Sequence, residues 1–254
     1  MTSPKPSDPR TQRQLYHAPL RAAAAAWITG GGILTIYAIQ IAFAPLVGGL
    51  IAAAIGYVAV IAMMIVIARQ RGFSLGVRPA VPRFWIAAVM IGIAAWYVDL
   101  RVVKQLQLRG EPETLQHIVD ISPLPATLIV IALLPAIGEE LVFRGVLARA
   151  IVPRSAILAI VVSAVVFSAY HVAPPQMAGT FPLGLALGVL AVRSHSIVPG
   201  MVTHFINNAV VLVLSRVDVP GVTTLLTRHA NGALVGAGAL MVGGVLLAGR
   251  EAAA

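Results

Sequence analysis

The sequence predicts an all-α protein, a polytopic transmembrane helical bundle of about eight helices. Three observations lead to this fold class: 59% of the 254 residues are hydrophobic, only 11% are charged, and the mean hydropathy is +0.91. Soluble domains carry roughly a quarter charged residues. The apolar residues also form runs about twenty residues long, enough for a helix to cross a bilayer. We therefore expect the lipid bilayer to surround most of the chain.

The individual helices follow from the apolar runs and from the prolines between them, such as Pro45 and Pro174. Two pairs of glycines have the spacing that lets membrane helices approach closely, namely Gly184/Gly188 and Gly232/Gly236. The predicted helices cover about residues 22–44, 46–68, 84–98, 124–149, 155–173, 179–192, 196–214 and 232–249.

The polar segments predict how the chain is organised. Residues 1–21 are polar, proline-rich and basic, which indicates a disordered cytoplasmic tail before a transmembrane domain at 22–254. Arginine and lysine are more frequent in the tail and in alternate connections, so we expect a multi-pass protein of the cell membrane with both termini cytoplasmic. The loop 99–122, of mixed charge and amphipathic pattern, would lie outside. The abundance of arginine and alanine indicates a GC-rich bacterial genome.

Composition also excludes several classes of function. The net charge of +9 does not predict nucleic-acid binding, because the basic residues lie between apolar runs and form no basic face or motif. The chain has no cysteine, which excludes disulfides, thiolate metal sites and cysteine nucleophiles. Gly72–Gly76 matches GxSxG, but it lies in a loop between membrane helices and lacks the strand–turn–helix context of that motif.

The first polar cluster in an apolar run contains Glu139, Glu140 and Arg144. An ionisable residue inside a membrane helix is costly and is a functional-site hypothesis by default. Glu140 and Arg144 are four residues apart and can form an ion pair on one helix face. Glu139 points about 100° away from that face. One glutamate is therefore predicted to be structural and the other to be available, although a buried packing network of all three would explain the same pattern.

Two further clusters place histidines in other predicted helices. His171 ends the stretch Phe167-Ser168-Ala169-Tyr170-His171, and His204 precedes Asn208 by four residues, on the same helix face. Each cluster alone is also typical of a helix–helix hydrogen bond. By residue count, His171 lies nearer the outer membrane surface than Glu139 and His204, by on the order of 10 Å.

Taken together, the three clusters allow two chemistries. A buried glutamate can act as general base on a water, with one histidine sharing the proton. The other histidine and the asparagine would then stabilise the oxyanion of a tetrahedral intermediate. Alternatively, Glu139, His171 and His204 could ligate a catalytic zinc ion. The residues alone leave both open.

The motifs EExxxR, FxxxH and HxxxN, in this order on separate helices, resemble the CAAX protease and bacteriocin-processing (CPBP) family of intramembrane proteases, which includes the type II CAAX prenyl endopeptidases. The resemblance covers about residues 122–215. It implies that Glu139 and His171 activate water and that His204 and Asn208 form the oxyanion hole. Supporting roles fall to Glu140, Arg144 and Phe167.

The expected function is therefore an intramembrane endopeptidase that cleaves a membrane-associated peptide or protein. We expect no cofactor, because better-understood members of the family resemble glutamate-dependent peptidases; zinc is the alternative. Two other functions fit the same residues: a proton-coupled transporter, although the sequence shows no internal repeat, and a non-proteolytic membrane scaffold or immunity protein.

Overall fold

The computed structural model describes residues 20–108 and 113–249. Helices account for 85% of the structure, and the described residues contain no strand, which confirms the predicted all-α bundle. The predicted tail at 1–21 lies outside the described residues except for its last two. The helices are α1 (Ala22–Val47), α2 (Gly49–Arg71), α3 (Pro82–Gln105), α4 (Glu113–Ile121), α5 (Leu124–Ile151), α6 (Ala156–Tyr170), α7 (Pro174–Ser194), α8 (Val198–Leu214), α9 (Pro220–Arg228) and α10 (Ala230–Gly249).

Six of these helices, α1, α2, α3, α5, α7 and α10, are long and apolar enough to cross a membrane. Two more, α6 and α8, are apolar but shorter. These eight correspond to the eight predicted helices. The chain is therefore a multi-pass membrane protein, and many large apolar side chains on its outer surface are exposed, as lipid contact requires.

Two helix ends that the prolines predict, at Pro45 and Pro174, differ in the structure. Helix α1 continues through Pro45 as far as its C-cap residue Gly48, whose positive φ of 82° suits glycine. Pro174 begins α7 rather than following α6, because a proline at the first helical position loses no hydrogen bond. Helix α3 continues to Gln105, so the first part of the predicted loop 99–122 is helical. Later in that loop lies α4.

Helix α3 is the centre of the bundle and packs against α10, α8 and α7, while α1 packs on α2 and α6 on α7. Small residues make these contacts close. A Cβ added at Gly92 of α3 would lie 2.9 Å from the carbonyl oxygen of Thr203 on α8. Gly184 and Gly188 both face α6, as the glycine spacing predicts, whereas nothing lies within 4 Å of a Cβ at Gly232 or Gly236.

Helix α5 is not a regular α-helix. It contains two π-helical segments, Leu128–Leu133 and Glu140–Ala148, separated by the α-helical turn Leu134–Glu139. Pro135 in that turn has no N–H to donate to the carbonyl of Ile131, which favours the irregular geometry before it. Such π segments are rare and often lie at functional sites. The boundary between the two geometries falls between Glu139 and Glu140.

Candidate active site

Glu140 and Arg144 form the ion pair that their spacing predicts. Arg144 Nη1 donates to Glu140 Oε1 at 2.8 Å, and both side chains are 0% exposed. The ion pair forms although this segment is π-helical. Residues separated by four positions are still about one turn apart in the wider π-helix, so their side chains lie near each other. This contact neutralises both buried charges on one helix.

Arg144 is held by two neighbouring helices as well. Its Nη2 donates to the carbonyl oxygen of Gly184 on α7 at 2.9 Å, and its guanidinium lies 4.5 Å from the ring centroid of Phe167 on α6. Gly184 also lets α7 approach α6, because a Cβ there would be 3.1 Å from the Phe167 ring. The guanidinium therefore joins α5, α6 and α7 in a fully buried environment.

Glu139 has no arginine or lysine partner among the described residues, as the helical spacing predicts. Its Oε1 accepts a hydrogen bond from the Tyr57 hydroxyl of α2 at 2.6 Å. Its Oε2 lies 3.8 Å from His204 Nε2, and the part of the chain that the structure describes offers this oxygen no hydrogen-bond donor. Glu139 is only 3% exposed, so this carboxylate oxygen faces the interior of the protein.

His204, on α8, lies between the two glutamates. Its Nε2 is 3.8 Å from Glu139 Oε2 and its Nδ1 is 3.6 Å from Glu140 Oε1. Both distances are too long for a direct hydrogen bond. The ring is 3% exposed and contacts the Phe167 ring edge-on, with centroids 5.5 Å apart. A group bound between His204 and Glu139 could contact both side chains.

His171 follows the last residue of α6. Its Nδ1 lies 2.9 Å from the Phe167 carbonyl oxygen, which can only accept, so Nδ1 is the protonated nitrogen and Nε2 carries a lone pair. Its ring contacts Phe167 at a centroid distance of 5.1 Å. His171 and His204 therefore both contact the Phe167 ring, and the depth difference expected from residue counts stays a prediction. Described contacts do not join His171 directly to Glu139.

Asn208, four residues after His204 on α8, contacts α5 and its neighbour Asn207. Asn208 Nδ2 donates to the Ile131 carbonyl at 3.4 Å, the oxygen that Pro135 leaves without its usual partner. Asn207 is 7% exposed, donates to Asn208 Oδ1 at 3.3 Å, and has a buried Oδ1 without a described partner. One amide hydrogen of Asn208 therefore bonds to a carbonyl of α5. No described contact uses the other amide hydrogen, which can donate to a bound molecule.

Sequence reasoning missed Tyr57 and gave no role to Tyr170. The hydroxyls of these residues lie 3.2 Å apart, and Tyr57 contacts Glu139 directly. A tyrosine within an apolar run is itself a signal, because a buried hydroxyl needs a polar partner. In this chain Tyr57 lies outside the three motifs, so no spacing rule connects it to Glu139.

The proposed zinc ligands do not fit a metal site in this geometry. Among residues 20–108 and 113–249, no three His, Asp or Glu side chains are arranged to hold a metal ion. Glu139 and His204 are adjacent, but no described contact joins His171 to either of them. We therefore derive no step through a metal, and the expectation of a metal-free reaction stays a prediction.

The fold and this cluster define a class: a multi-pass membrane protein with buried carboxylate, imidazole and amide groups from three helices. Within it, residues 121–210 match the family model described as Type II CAAX prenyl endopeptidase Rce1-like. The match confirms the resemblance to the CAAX protease family and supports a peptidase. Searches of curated proteins and of solved structures gave no significant match.

Proposed function

We propose that this protein is an intramembrane endopeptidase that cleaves a membrane-associated peptide or protein, with Glu139 as general base. The observation that carries the proposal is the pair of Glu139 Oε2 and His204 Nε2. They lie 3.8 Å apart at 3% exposure, and Oε2 has no described donor. A water molecule can contact both atoms at ordinary hydrogen-bond distances, whereas the two side chains do not bond to each other.

In the proposed reaction, Glu139 takes a proton from this water while the water oxygen attacks the peptide carbonyl carbon. The tetrahedral intermediate carries negative charge on the former carbonyl oxygen. His204 and the remaining amide hydrogen of Asn208 would donate to that oxygen. The C–N bond then breaks as the leaving nitrogen receives the proton that Glu139 took.

His171 is proposed to share that proton. Its Nδ1–H is directed to the Phe167 carbonyl, which makes Nε2 the basic nitrogen. Phe167 separates the two imidazole rings and contacts both. Glu140 and Arg144 support the site by holding α5, α6 and α7 together around it.

The bilayer restricts the substrate to peptides or proteins that reach the membrane, so we propose a membrane-associated substrate. We also propose that both termini face the cytoplasm of a bacterial cell. Arg69 and Arg71 end α2, Arg149 lies near the end of α5, and Arg193 near the end of α7. These ends lie at the predicted cytoplasmic face, as the distribution of positive charge requires.

The test compares membrane peptidomes of cells that contain the wild-type protein or its Glu139→Gln or His204→Ala variant. We expect both variants to abolish cleavage while protein levels in the membrane stay unchanged. Asp99→Asn is the matched control, because it removes another carboxylate of the helix bundle, half-buried, whose buried Oδ1 has no described partner. Wild-type processing by both variants would refute the proposal. Adding a chelator or zinc to the purified protein tests whether the reaction needs a metal ion. We expect neither addition to alter the rate of cleavage.

A further inference from the structure

The hydroxyls of Tyr57 and Tyr170, from two helices, form a chain of hydrogen bonds that ends on Glu139, and a third tyrosine bonds to the backbone of Tyr170. The Tyr57 hydroxyl of α2 lies 2.6 Å from Glu139 Oε1 and 3.2 Å from the Tyr170 hydroxyl of α6. The Tyr37 hydroxyl of α1 donates to the main-chain oxygen of Tyr170. Tyr37 and Tyr57 lie outside the matched segment 121–210. Helices α1 and α2, for which the sequence predicts no function, therefore place tyrosines at or beside the candidate site.

The direction of the chain follows from counting protons. An ionised carboxylate can only accept, and a phenol has one proton to donate. Tyr57 therefore donates to Glu139 Oε1, and its own oxygen accepts from the Tyr170 hydroxyl. This arrangement places a donor on one carboxylate oxygen and leaves the other, Oε2, with its lone pairs toward His204.

We propose that Tyr57 is a positioning residue that fixes the Glu139 carboxylate so that Oε2 is the oxygen that takes the proton from water. The inference rests on the proposed function and specifies which oxygen acts. A buried tyrosine could satisfy its hydroxyl on any carbonyl, but Tyr57 uses the proposed base at a short distance. Gly138 makes room for this contact, because a Cβ there would lie 3.1 Å from the Tyr57 ring.

The hydrogen bond from Tyr57 also limits the orientations of the Glu139 carboxylate, so its loss should lower kcat without changing KM. Other charged or titratable groups around Glu139 remain unchanged in a Tyr57 variant. They are Glu140 and Arg144 on the same helix, His204 on α8, and Tyr170 and His171 at the end of α6. A change of kcat in the Tyr57→Phe variant can therefore be assigned to the lost hydroxyl.

The experiment uses full-length purified protein in liposomes and a library of quenched-fluorescence peptides that carry an N-terminal palmitoyl anchor. For Tyr57→Phe we expect kcat to fall about tenfold with KM unchanged. Tyr97→Phe is the matched control. It removes a buried hydroxyl that donates to the Ala230 carbonyl at 3.1 Å, so kcat and KM should match the wild type.

The outcomes separate this inference from the proposed function. If Glu139→Gln is inactive but Tyr57→Phe keeps the wild-type kcat and KM, the positioning role is wrong and the peptidase proposal stands. If Glu139→Gln retains full activity, both are wrong. If no library peptide is cleaved, the infrared frequency of the carboxylate band that Glu139→Gln removes, measured at one fixed pH, replaces kinetics. An unchanged frequency in Tyr57→Phe would then overturn the inference.

Discussion

Replacing Arg144 by methionine should cause one of the largest stability losses available to a single substitution in this protein. Methionine keeps an unbranched apolar chain but removes the guanidinium. Three contacts disappear: the 2.8 Å ion pair with Glu140, the 2.9 Å hydrogen bond to the Gly184 carbonyl, and the contact with the Phe167 ring at 4.5 Å.

The size of the expected stability loss follows from the charge that Arg144→Met leaves buried. After Arg144→Met, the Glu140 carboxylate stays at 0% exposure, and its Oε2 already lacks a described partner. Removal of one member of a buried ion pair costs about 3–5 kcal/mol, because the other charge is left without compensation. The double variant Glu140→Gln/Arg144→Met removes both charges. Since neutral replacements of a buried pair are often tolerated, we expect it to lie within about 1 kcal/mol of the wild type.

The assay is the free energy of unfolding in mixed micelles, measured by SDS titration and followed by tryptophan fluorescence. Arg83→Met is the control, because Arg83 also lies over a phenylalanine ring, at 4.8 Å, but has no described carboxylate partner. It should cost less than about 1 kcal/mol. The reasoning is refuted if Arg144→Met costs no more than Arg83→Met, or if the double variant is as unstable as the single one.

Two further predictions concern a glycine near the site and the connection between α7 and α8. A Cβ at Gly200 would lie 2.8 Å from Glu140 Oε2, so Gly200→Ala should displace that carboxylate and lower peptidase activity about tenfold. Gly232→Ala is the control: its Cβ has open space around it, so activity should stay unchanged. Burial, then Arg78 and Arg149, lower the pKa of His195 from 6.5 to about 4. Protonation therefore favours the unfolded chain, and the stability that neutral His195 provides above about pH 6.5 is lost as pH falls toward 4. Asparagine tolerates the positive φ of 54° at this position, so the His195→Asn variant should fold. Between pH 6.5 and 4 it should lose less unfolding free energy than the wild type. An equal loss in the two proteins would contradict the assignment to His195.

The sequence predicts the helices well because long apolar runs have one stable solution in a bilayer. It also predicts the ion pair between Glu140 and Arg144, since only Glu140 has a cation four residues away. Both results depend on local periodicity, and local periodicity is readable without a structure. The positions of helix ends are less well predicted, because a proline can begin a helix as easily as it ends one.

The contacts between helices are harder to predict. Tyr57 is 82 residues from Glu139 in sequence, and nothing in its own helix indicates which carboxylate its hydroxyl reaches. The contact of the first π segment with α8 is equally distant in sequence: Asn208 bonds to the Ile131 carbonyl, 77 residues away. These features come from packing between distant segments, and a single sequence carries no direct record of that packing.

The two adjacent glutamates show why the identity of the partner matters for the proposed chemistry. Glu140 is paired with a guanidinium, which occupies its Oε1 and compensates its charge. Glu139 is held instead by a phenol, which orients the carboxylate without adding a positive charge. A base that must take a proton from water needs the second arrangement rather than the first. If Glu139→Gln is inactive and Tyr57→Phe is about tenfold slower, Glu139 is the base and its phenol partner positions it, whereas the partner of Glu140 makes that glutamate structural.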